Sequence, residues 1–186
     1  MSALAMPSRL SVEDYLAGEE LGDVRHEYIA GEVYAMTGAS RVHGLIALNL
    51  GALLRPLLRG GDCQAFISDM KVRLEIAGDD VFYYPDLVMT CDPDDRASDY
   101  CRAPCLVIEI LSPKTRRIDR REKFLAYTSM PSLRSYLLIS QELRQVELFR
   151  RERDWKREVF CESAVPLGCL EKALPLELVY EGVDLA

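Results

Sequence analysis

A glutamate lies inside the most apolar strand-like run of this chain. The run covers residues 106–111, is apolar enough to be buried on both faces of a sheet, and carries Glu109. A second acid, Asp86, follows Pro85 within another apolar stretch, residues 81–90. A charged group inside an apolar strand is costly unless a cation or hydrogen-bond donors meet it. Two such acids on neighbouring strands therefore suggest that they share a cation.

The residues after Glu109 predict a strand–helix–strand unit. Residues 112–113, Ser-Pro, end the strand; a helix continues to about Ser129, and Pro131 ends that helix. Residues 134–139 then form the next strand. Because such crossovers are almost always right-handed, we expect two parallel strands with the helix packed across them.

The rest of the chain predicts further helices and strands around this unit. Ser11 with an acid three residues later begins a short helix that ends near Gly18. Helical spacing of apolar residues covers residues 41–58, and strict alternation over residues 63–76 is the strongest strand signal. The remaining predicted elements are a hairpin (residues 26–30 and 32–36), a surface loop (91–103), a meander (145–149 and 155–160) and an edge strand (176–179).

Together these elements predict an α/β (α+β) fold in which helices flank a central mixed β-sheet. A chain of 186 residues is long enough for one domain with a substantial core. We expect residues 1–186 to form that single domain, with an N-terminal helix and hairpin at 11–38, a catalytic core at about 40–150, and a C-terminal meander and tail at 151–186.

The distribution of charge matters more here than its total. The net charge of −7 argues against a protein that coats nucleic acid through bulk electrostatics. It does not exclude a nuclease, because salt screens charges beyond about 8 Å and the local balance decides. Residues 114–123, directly after the Glu109 strand, contain six basic residues and two acidic ones.

Composition also indicates a cellular location. No apolar run approaches the roughly 20 residues of a membrane span, and residues 1–9 lack the pattern of a secretory signal. We therefore expect a cytoplasmic protein with no membrane partner. The six cysteines lie at irregular spacings without a Cys-x-x-Cys pair, and only two histidines are present, which disfavours a zinc site. We expect reduced, mostly buried thiols, as is usual in the cytosol.

The two acids belong to a longer set of motifs. Tyr84-Pro85-Asp86 is followed by Val-Ile-Glu-Ile-Leu-Ser-Pro-Lys-Thr at residues 107–115, and then by Asp119, Lys123 and Tyr127. The flanking motifs are His26-Glu27-Tyr28, residues 31–38, His43, Pro131-Ser132-Leu133 and Tyr136-Leu137-Leu138. As a set, these residues resemble the Uma-two family, restriction-endonuclease-like proteins within the PD-(D/E)XK nuclease superfamily. The resemblance covers roughly residues 10–150.

The resemblance implies helices packed on a central mixed sheet, a Mg²⁺-dependent endonuclease site acting on DNA, and a homodimer. It makes Asp86 the metal ligand of the Pro-Asp element and Glu109 the acid of the Glu-x-Lys element. Leu111 stands where that element has lysine, and Lys123 on the following helix would assist the attacking water instead. Mg²⁺ prefers carboxylate, carbonyl and water ligands, so the Ile110 carbonyl could supply a third oxygen. Mn²⁺ is expected to substitute.

Each of these candidates also has a purely structural interpretation. Asp86 could be a turn residue, and Glu109 could pair with a buried arginine. Lys123 could form an ordinary helix-surface ion pair with Asp119, four residues earlier. Glu32, in the N-terminal hairpin, is either a third acid near the metal or a solvated strand residue.

Further polar residues leave similar alternatives open. His43 lies in the first turn of the second helix and could be a partly buried or surface histidine with no role in chemistry. The basic side chains after the Glu109 strand could contact phosphates, for which arginine offers the better fork, or could form a solvated helix face. These side chains are Lys114, Arg116, Arg117, Arg120 and Arg121.

Three functions are therefore compared. The first is a metal-dependent endonuclease with Asp86, Glu109 and Lys123 as its catalytic residues. The second is a catalytically silent nucleic-acid-binding or assembly module that keeps the nuclease fold, which the missing motif lysine and the net charge of −7 favour. The third is metal-dependent hydrolysis of another phosphorylated substrate, since a fold does not fix a function.

Overall fold

The computed structural model describes residues 9–36 and 38–185. Within these ranges the helices are α1 (Val12–Leu21), α2 (Arg41–Leu57), α3 (Arg116–Ile118), α4 (Phe124–Ser129) and α5 (Leu176–Val179). A π-helical turn (Asp119–Lys123) joins α3 to α4, and a 3₁₀ turn covers Arg151–Arg153. The strands are β1 (His26–Ile29), β2 (Glu32–Ala35), β3 (Gln64–Ile67), β4 (Lys71–Ile76), β5 (Asp79–Tyr83), β6 (Leu87–Thr90), β7 (Tyr100–Cys101), β8 (Pro104–Leu111), β9 (Ser135–Ser140), β10 (Val146–Arg150), β11 (Arg157–Phe160), β12 (Val165–Pro166) and β13 (Ala173–Leu174).

Two mixed sheets build the fold. The first has the strand order β2-β1-β5-β4-β7 and the second the order β11-β10-β9-β8-β6-β3, while β12 and β13 form a separate pair. Each large sheet contains one parallel pair, β4–β7 in the first and β8–β9 in the second, among antiparallel ones. The mixed α/β class with flanking helices is confirmed, but the expectation of one central sheet is corrected to two.

Two strands that the sequence predicts as continuous are each divided between the two sheets. The predicted strand over residues 63–76 is divided into β3 and β4, because Ser68 adopts the left-handed region at φ 64° and turns the backbone. Residues 81–90 are likewise divided between β5 and β6. Pro85 lies at that break and has no N–H to offer a strand ladder.

The strand–helix–strand unit is present as expected. β8 and β9 pair in parallel, from Leu106 opposite Ser135 to Leu111 opposite Ser140. All eight residues of β8 are buried, so the strand is covered on both faces. Ile108 packs in one core cluster with Leu50 of α2, whereas Val107 packs in a second cluster with Tyr127 and other residues. Because side chains alternate along a strand, Glu109 lies on the face of Val107.

Several local expectations are corrected. The predicted edge strand over residues 176–179 is the short helix α5, in which Leu176 and Val179 are buried. Pro175 starts this helix, and its carbonyl accepts from the Val179 N–H. The predicted loop over residues 91–103 contains the short strand β7, which pairs with β4. The first helix continues past Gly18 to Leu21.

The expectation of reduced cysteines is wrong for two of the six. Cys63 and Cys91 form a disulfide bond. The β3–β6 ladder pairs Gln64 with Thr90, so the next residue outward on each strand faces the other across the ladder. A pairing set by strand register cannot be read from sequence spacing. Free thiols are found at Cys101, Cys105, Cys161 and Cys169.

Candidate active site

Asp86 and Glu109 are neighbours across two antiparallel strands. The β6–β8 ladder pairs Leu87 with Ile108, and one step along it brings Asp86 to the position opposite Glu109. The backbone N–H of Ile110 donates a hydrogen bond of 2.6 Å to Oδ2 of Asp86. The register therefore places together the two acids that the sequence indicated.

His43 holds the other oxygen of Asp86. Ser40 caps α2 by accepting from the His43 N–H, which fixes the first turn of the helix next to the acid. The imidazole Nε2 lies 3.0 Å from Oδ1 of Asp86. Burial lowers the pKa of His43, but the hydrogen bond to Asp86 and the charges of Asp86 and Asp119 outweigh it, so the pKa is raised. His43 therefore contacts and orients the Asp86 carboxylate, which the sequence alone did not predict.

Lys123 lies at the centre of the acids rather than on the helix surface. Its Nζ lies 2.8 Å from Oε1 of Glu27, 3.1 Å from Oε1 of Glu109 and 3.7 Å from Oδ1 of Asp119. The side chain is only 7% exposed, so a simple surface ion pair does not describe it. Burial lowers the pKa of Lys123, but Glu109, Glu27 and Asp119 together raise it above its ordinary value. The amine is therefore protonated at neutral pH.

The acids outnumber the cations in this cluster. Burial raises the pKa of Glu109 strongly, Lys123 opposes the shift, and Asp119, Asp86 and Glu27 add to it. Burial also raises the pKa of Asp119, against the opposing effect of Lys123. Oδ1 of Asp119 is buried and has no hydrogen-bond partner among the described residues. Lys123 and His43 together face four carboxylates, so the negative charge of the cluster is only partly compensated.

Aromatic side chains surround the carboxylates. The Tyr127 hydroxyl lies 3.4 Å from Oε1 of Glu109, and the Lys123 ammonium lies 5.5 Å from the ring centre of Tyr83. The Tyr136 hydroxyl donates a hydrogen bond of 2.9 Å to the backbone carbonyl of Asp119. These rings form an apolar wall that lowers the local dielectric and strengthens each charge interaction.

The N-terminal hairpin contributes an acid, but the residue in contact is Glu27. Glu32 lies on the exposed edge strand β2, where its Oε2 accepts a hydrogen bond of 2.6 Å from the Tyr34 hydroxyl. Glu27 lies on β1, opposite Tyr34, and reaches Lys123. The sequence did contain a signal that Glu27 faces inward. It lies two residues before Ile29 on the same strand, so both side chains lie on one face, and Ile29 packs against the core.

The basic residues after β8 differ in their surroundings. Arg120 pairs with the buried Glu147, and Arg116 lies 3.6 Å from the exposed Glu142. Three other side chains are exposed and have no salt-bridge partner among the described residues: Lys114, Arg117 and Arg121. These three are therefore the better candidates for contact with a ligand.

The donor chemistry of this site fits a divalent cation. Asp86 and Glu109 offer the hard oxygen ligands that Mg²⁺ prefers, and Oδ1 of Asp119 is buried without a hydrogen bond among the described residues. As the side chains stand in residues 9–36 and 38–185, no three His, Cys, Asp or Glu residues are arranged around one metal position. The Lys123 ammonium lies among Glu27, Glu109 and Asp119.

The fold is shared with a protein of known structure. The structure superimposes with a TM-score of 0.68 on a crystal structure described as "a putative nuclease belonging to DUF820" from Anabaena variabilis. That match covers 86% of this chain and 91% of the other at 19% sequence identity, so it establishes the shared fold alone.

The chain belongs to the Uma2 family, described as "Putative restriction endonuclease", whose model matches residues 12–179. Two relatives come from Synechocystis sp. The protein slr1290 is 41% identical over 179 residues, 94% of this chain and 93% of its own length. The protein sll1609 is 32% identical over 160 residues, 83% of this chain and 89% of its own. The family resemblance seen in the sequence is thereby confirmed.

None of the helices in the described parts of the chain has both the length and the apolar character needed to cross a membrane.

Proposed function

We propose that this protein is a Mg²⁺-dependent endonuclease that hydrolyses phosphodiester bonds of DNA. The observation that carries the proposal is the convergence of the buried Glu109 and Lys123 with the partly buried Asp86 in one cluster that has an excess of carboxylates. Membership of a restriction endonuclease family supports the same interpretation. A homodimer, a cytoplasmic location and the use of Mn²⁺ in place of Mg²⁺ complete the proposal.

Asp86 and Glu109 would hold the metal ion, with the Ile110 carbonyl as a further oxygen ligand. When bound, Mg²⁺ would supply charge stabilisation at the phosphate and help to generate a hydroxide nucleophile near neutral pH. The protein's own contribution begins with the orientation of Asp86. The Ile110 N–H and His43 each engage one of its two oxygens, so the carboxylate cannot rotate freely.

Lys123 would place the attacking water and stabilise charge that develops on the phosphate. Its raised pKa keeps the amine protonated, so Lys123 donates hydrogen bonds rather than accepting a proton. Glu27 and Asp119 hold the ammonium from the side of the hairpin and of the helix, respectively. The missing motif lysine at Leu111 is thereby replaced by a lysine that approaches Glu109 from the next helix.

The exposed basic side chains next to the site would bind the DNA backbone. Lys114, Arg117 and Arg121 lie on the segment that follows β8, directly after Glu109 in the chain. Phosphate oxygens are good acceptors for both side-chain types, and arginine binds them through two parallel N–H donors. Such contacts position the duplex without reading its sequence.

The proposal is tested by offering the protein three classes of phosphodiester with Mg²⁺, with Mn²⁺, and with EDTA. The substrates are double-stranded DNA, RNA and a small chromogenic phosphodiester. Metal-dependent cleavage of DNA that EDTA abolishes is the expected result. Cleavage of the small phosphodiester without cleavage of DNA would instead indicate that the protein hydrolyses another phosphorylated substrate.

One observation favours the catalytically silent module as second candidate. Lys123 already pairs with Glu109, and in the described ranges no three metal-binding side chains surround one position. A ligand that binds only the folded state raises the melting temperature, so titration with Mg²⁺ or Mn²⁺ separates the two functions. A melting temperature that both ions leave unchanged, together with DNA binding but no cleavage, would favour the silent module.

A further inference from the structure

Four cysteines, referred to below as the row, pack in one core cluster at the end of the second sheet. Cys63 and Cys91 form the disulfide, and Sγ of Cys91 lies 3.5 Å from Sγ of Cys105. Cys169 packs against the core cluster that contains Cys105. A disulfide is therefore in direct contact with a free thiol.

The row brings together four separate parts of the chain. Cys63 precedes β3, Cys91 follows β6, Cys105 lies in β8, and Cys169 belongs to the segment between β12 and β13. Asp86 and Glu109 lie at the opposite ends of β6 and β8, so the sulfurs are separated from the candidate active site by the length of a strand. The disulfide cysteines are partly exposed, whereas Cys105 is buried.

We propose that Cys63, Cys91 and Cys105 form a thiol–disulfide relay, in which the disulfide bond between Cys63 and Cys91 is exchanged for one between Cys91 and Cys105. The Cys105 thiolate attacks Sγ of Cys91, a Cys91–Cys105 bond forms, and the Cys63–Cys91 bond breaks. Cys63 leaves as a thiolate and takes up the proton that Cys105 released. The number of disulfides and thiols is unchanged, so the step needs no outside oxidant.

A comparison with the other free thiols identifies Cys105 as the attacking group. The neighbouring Cys105 and burial raise the pKa of Cys169, so this thiol keeps its proton at neutral pH. Cys101 donates its own S–H to Asp95 and is buried. Thiolate character and direct contact together govern which thiol attacks a disulfide. Of the free thiols, Cys105 is the one whose sulfur touches the disulfide.

Redox chemistry explains the cluster better than metal binding. Cys63 and Cys91 are bonded to each other, so neither offers the free thiolate that binds a metal ion. Disulfides in cytosolic proteins are often transient or redox-sensing rather than structural. The partly exposed pair would meet a dithiol or disulfide reagent from solution, and Cys105 would carry the change into the core.

The test maps the disulfides of the full chain by mass spectrometry. The protein is incubated at neutral pH with a trace of dithiothreitol, quenched with acid and N-ethylmaleimide, and digested with trypsin without reduction. Trypsin separates Cys63 (residues 60–71), Cys91 (74–96) and Cys105 (103–114) into different peptides. We expect peptide 74–96 linked to 60–71 and also to 103–114.

Variants sharpen the result. In Cys63→Ser, mild oxidation with glutathione disulfide should give Cys91–Cys105 as the main bond, at least about tenfold over any bond to Cys101. In Cys105→Ser, peptide 74–96 should be linked only to peptide 60–71. Cys161→Ser is the control outside the row, and its disulfide-linked peptides should be the same as those of the wild type. The relay is contradicted if the wild type contains no link between peptides 74–96 and 103–114, whatever the variants show.

Discussion

The ammonium of Lys123 lies 3.1 Å from the Oε1 atom of Glu109, although the two residues come from a strand and from the helical segment that follows it. Both side chains are buried, and Glu27 and Asp119 share the same ammonium. The cluster therefore contains more negative than positive charge. Removing the cation should consequently cost much more stability than removing one carboxylate.

Substitution of Lys123 by methionine should destabilise the protein strongly. Glu27, Glu109 and Asp119 would lose their shared cation, and a buried ion pair broken on one side costs about 3–5 kcal/mol. We expect a decrease of that order in the free energy of unfolding, measured by urea denaturation at pH 7. Lys114→Met is the matched control, because its exposed side chain should change stability by less than about 0.5 kcal/mol. Equal stability of the two variants would show that Lys123 is not buried among the acids.

Neutralising one carboxylate should leave the protein folded. In Glu109→Gln, Lys123 keeps Glu27 and Asp119 as partners, and the repulsion between crowded acids is relieved. We expect Glu109→Gln and Asp86→Asn either to be more stable than the wild type or to lose no more than about 1 kcal/mol in the free energy of unfolding. Thermal and urea denaturation measure this directly. Insolubility of both variants would instead assign these acids a structural role.

Glu147 should contribute stability that depends on pH. Burial raises the pKa of this acid, but Arg157 and Arg120 outweigh burial and lower it below its ordinary value of 4.5. A depressed folded-state pKa gives stability that is fully present above the unfolded pKa and is lost as the pH falls through the folded one. Glu147→Gln should therefore be less stable than wild type by about 2 kcal/mol at pH 7. The difference should shrink steadily below pH 4.5 in urea titrations, and a constant difference down to pH 3 would contradict the assignment.

Arg117 and Arg121 should contribute to DNA affinity through ion pairs with phosphates. Each phosphate that a protein no longer neutralises reduces the slope of log K against log salt concentration by about 0.9. We expect Arg117→Gln with Arg121→Gln to lower the slope by about 2 in fluorescence anisotropy titrations, irrespective of DNA sequence. Arg59→Gln is the control, because Arg59 is exposed just beyond the far end of α2 from His43. An unchanged slope in the double variant would place these arginines on a solvated face.

The sequence predicted most of the fold because its signals were local. The β1–β2 hairpin, α2, and the β8–helix–β9 unit follow from alternation, helical spacing and terminating prolines. The division of residues 63–76 between two sheets was not predictable, because the side chains alternate through Ser68 and only the backbone turns there. Alternation reports which side chains share a face, not which sheet a strand joins.

The candidate site was predictable where the motif was continuous. Asp86 and Glu109 stood out because each is an acid within an apolar run. Glu27 and His43 were missed as partners because their contacts depend on how α2 and the hairpin pack against β6 and the helical segment after β8. The Cys63–Cys91 disulfide was missed for a related reason, since the β3–β6 register alone brings the two cysteines together.

The most direct measurement is cleavage of supercoiled plasmid DNA by four proteins purified in the same way. These are the wild type, Asp86→Asn, Glu109→Gln and the control Glu75→Gln, whose side chain is exposed on β4. With Mg²⁺ or Mn²⁺, the wild type and Glu75→Gln should cleave at equal rates, and each site variant should be at least about 100-fold slower. The absence of cleavage by the wild type with either metal, or equal cleavage by all four proteins, would contradict a metal-dependent nuclease site at Asp86 and Glu109.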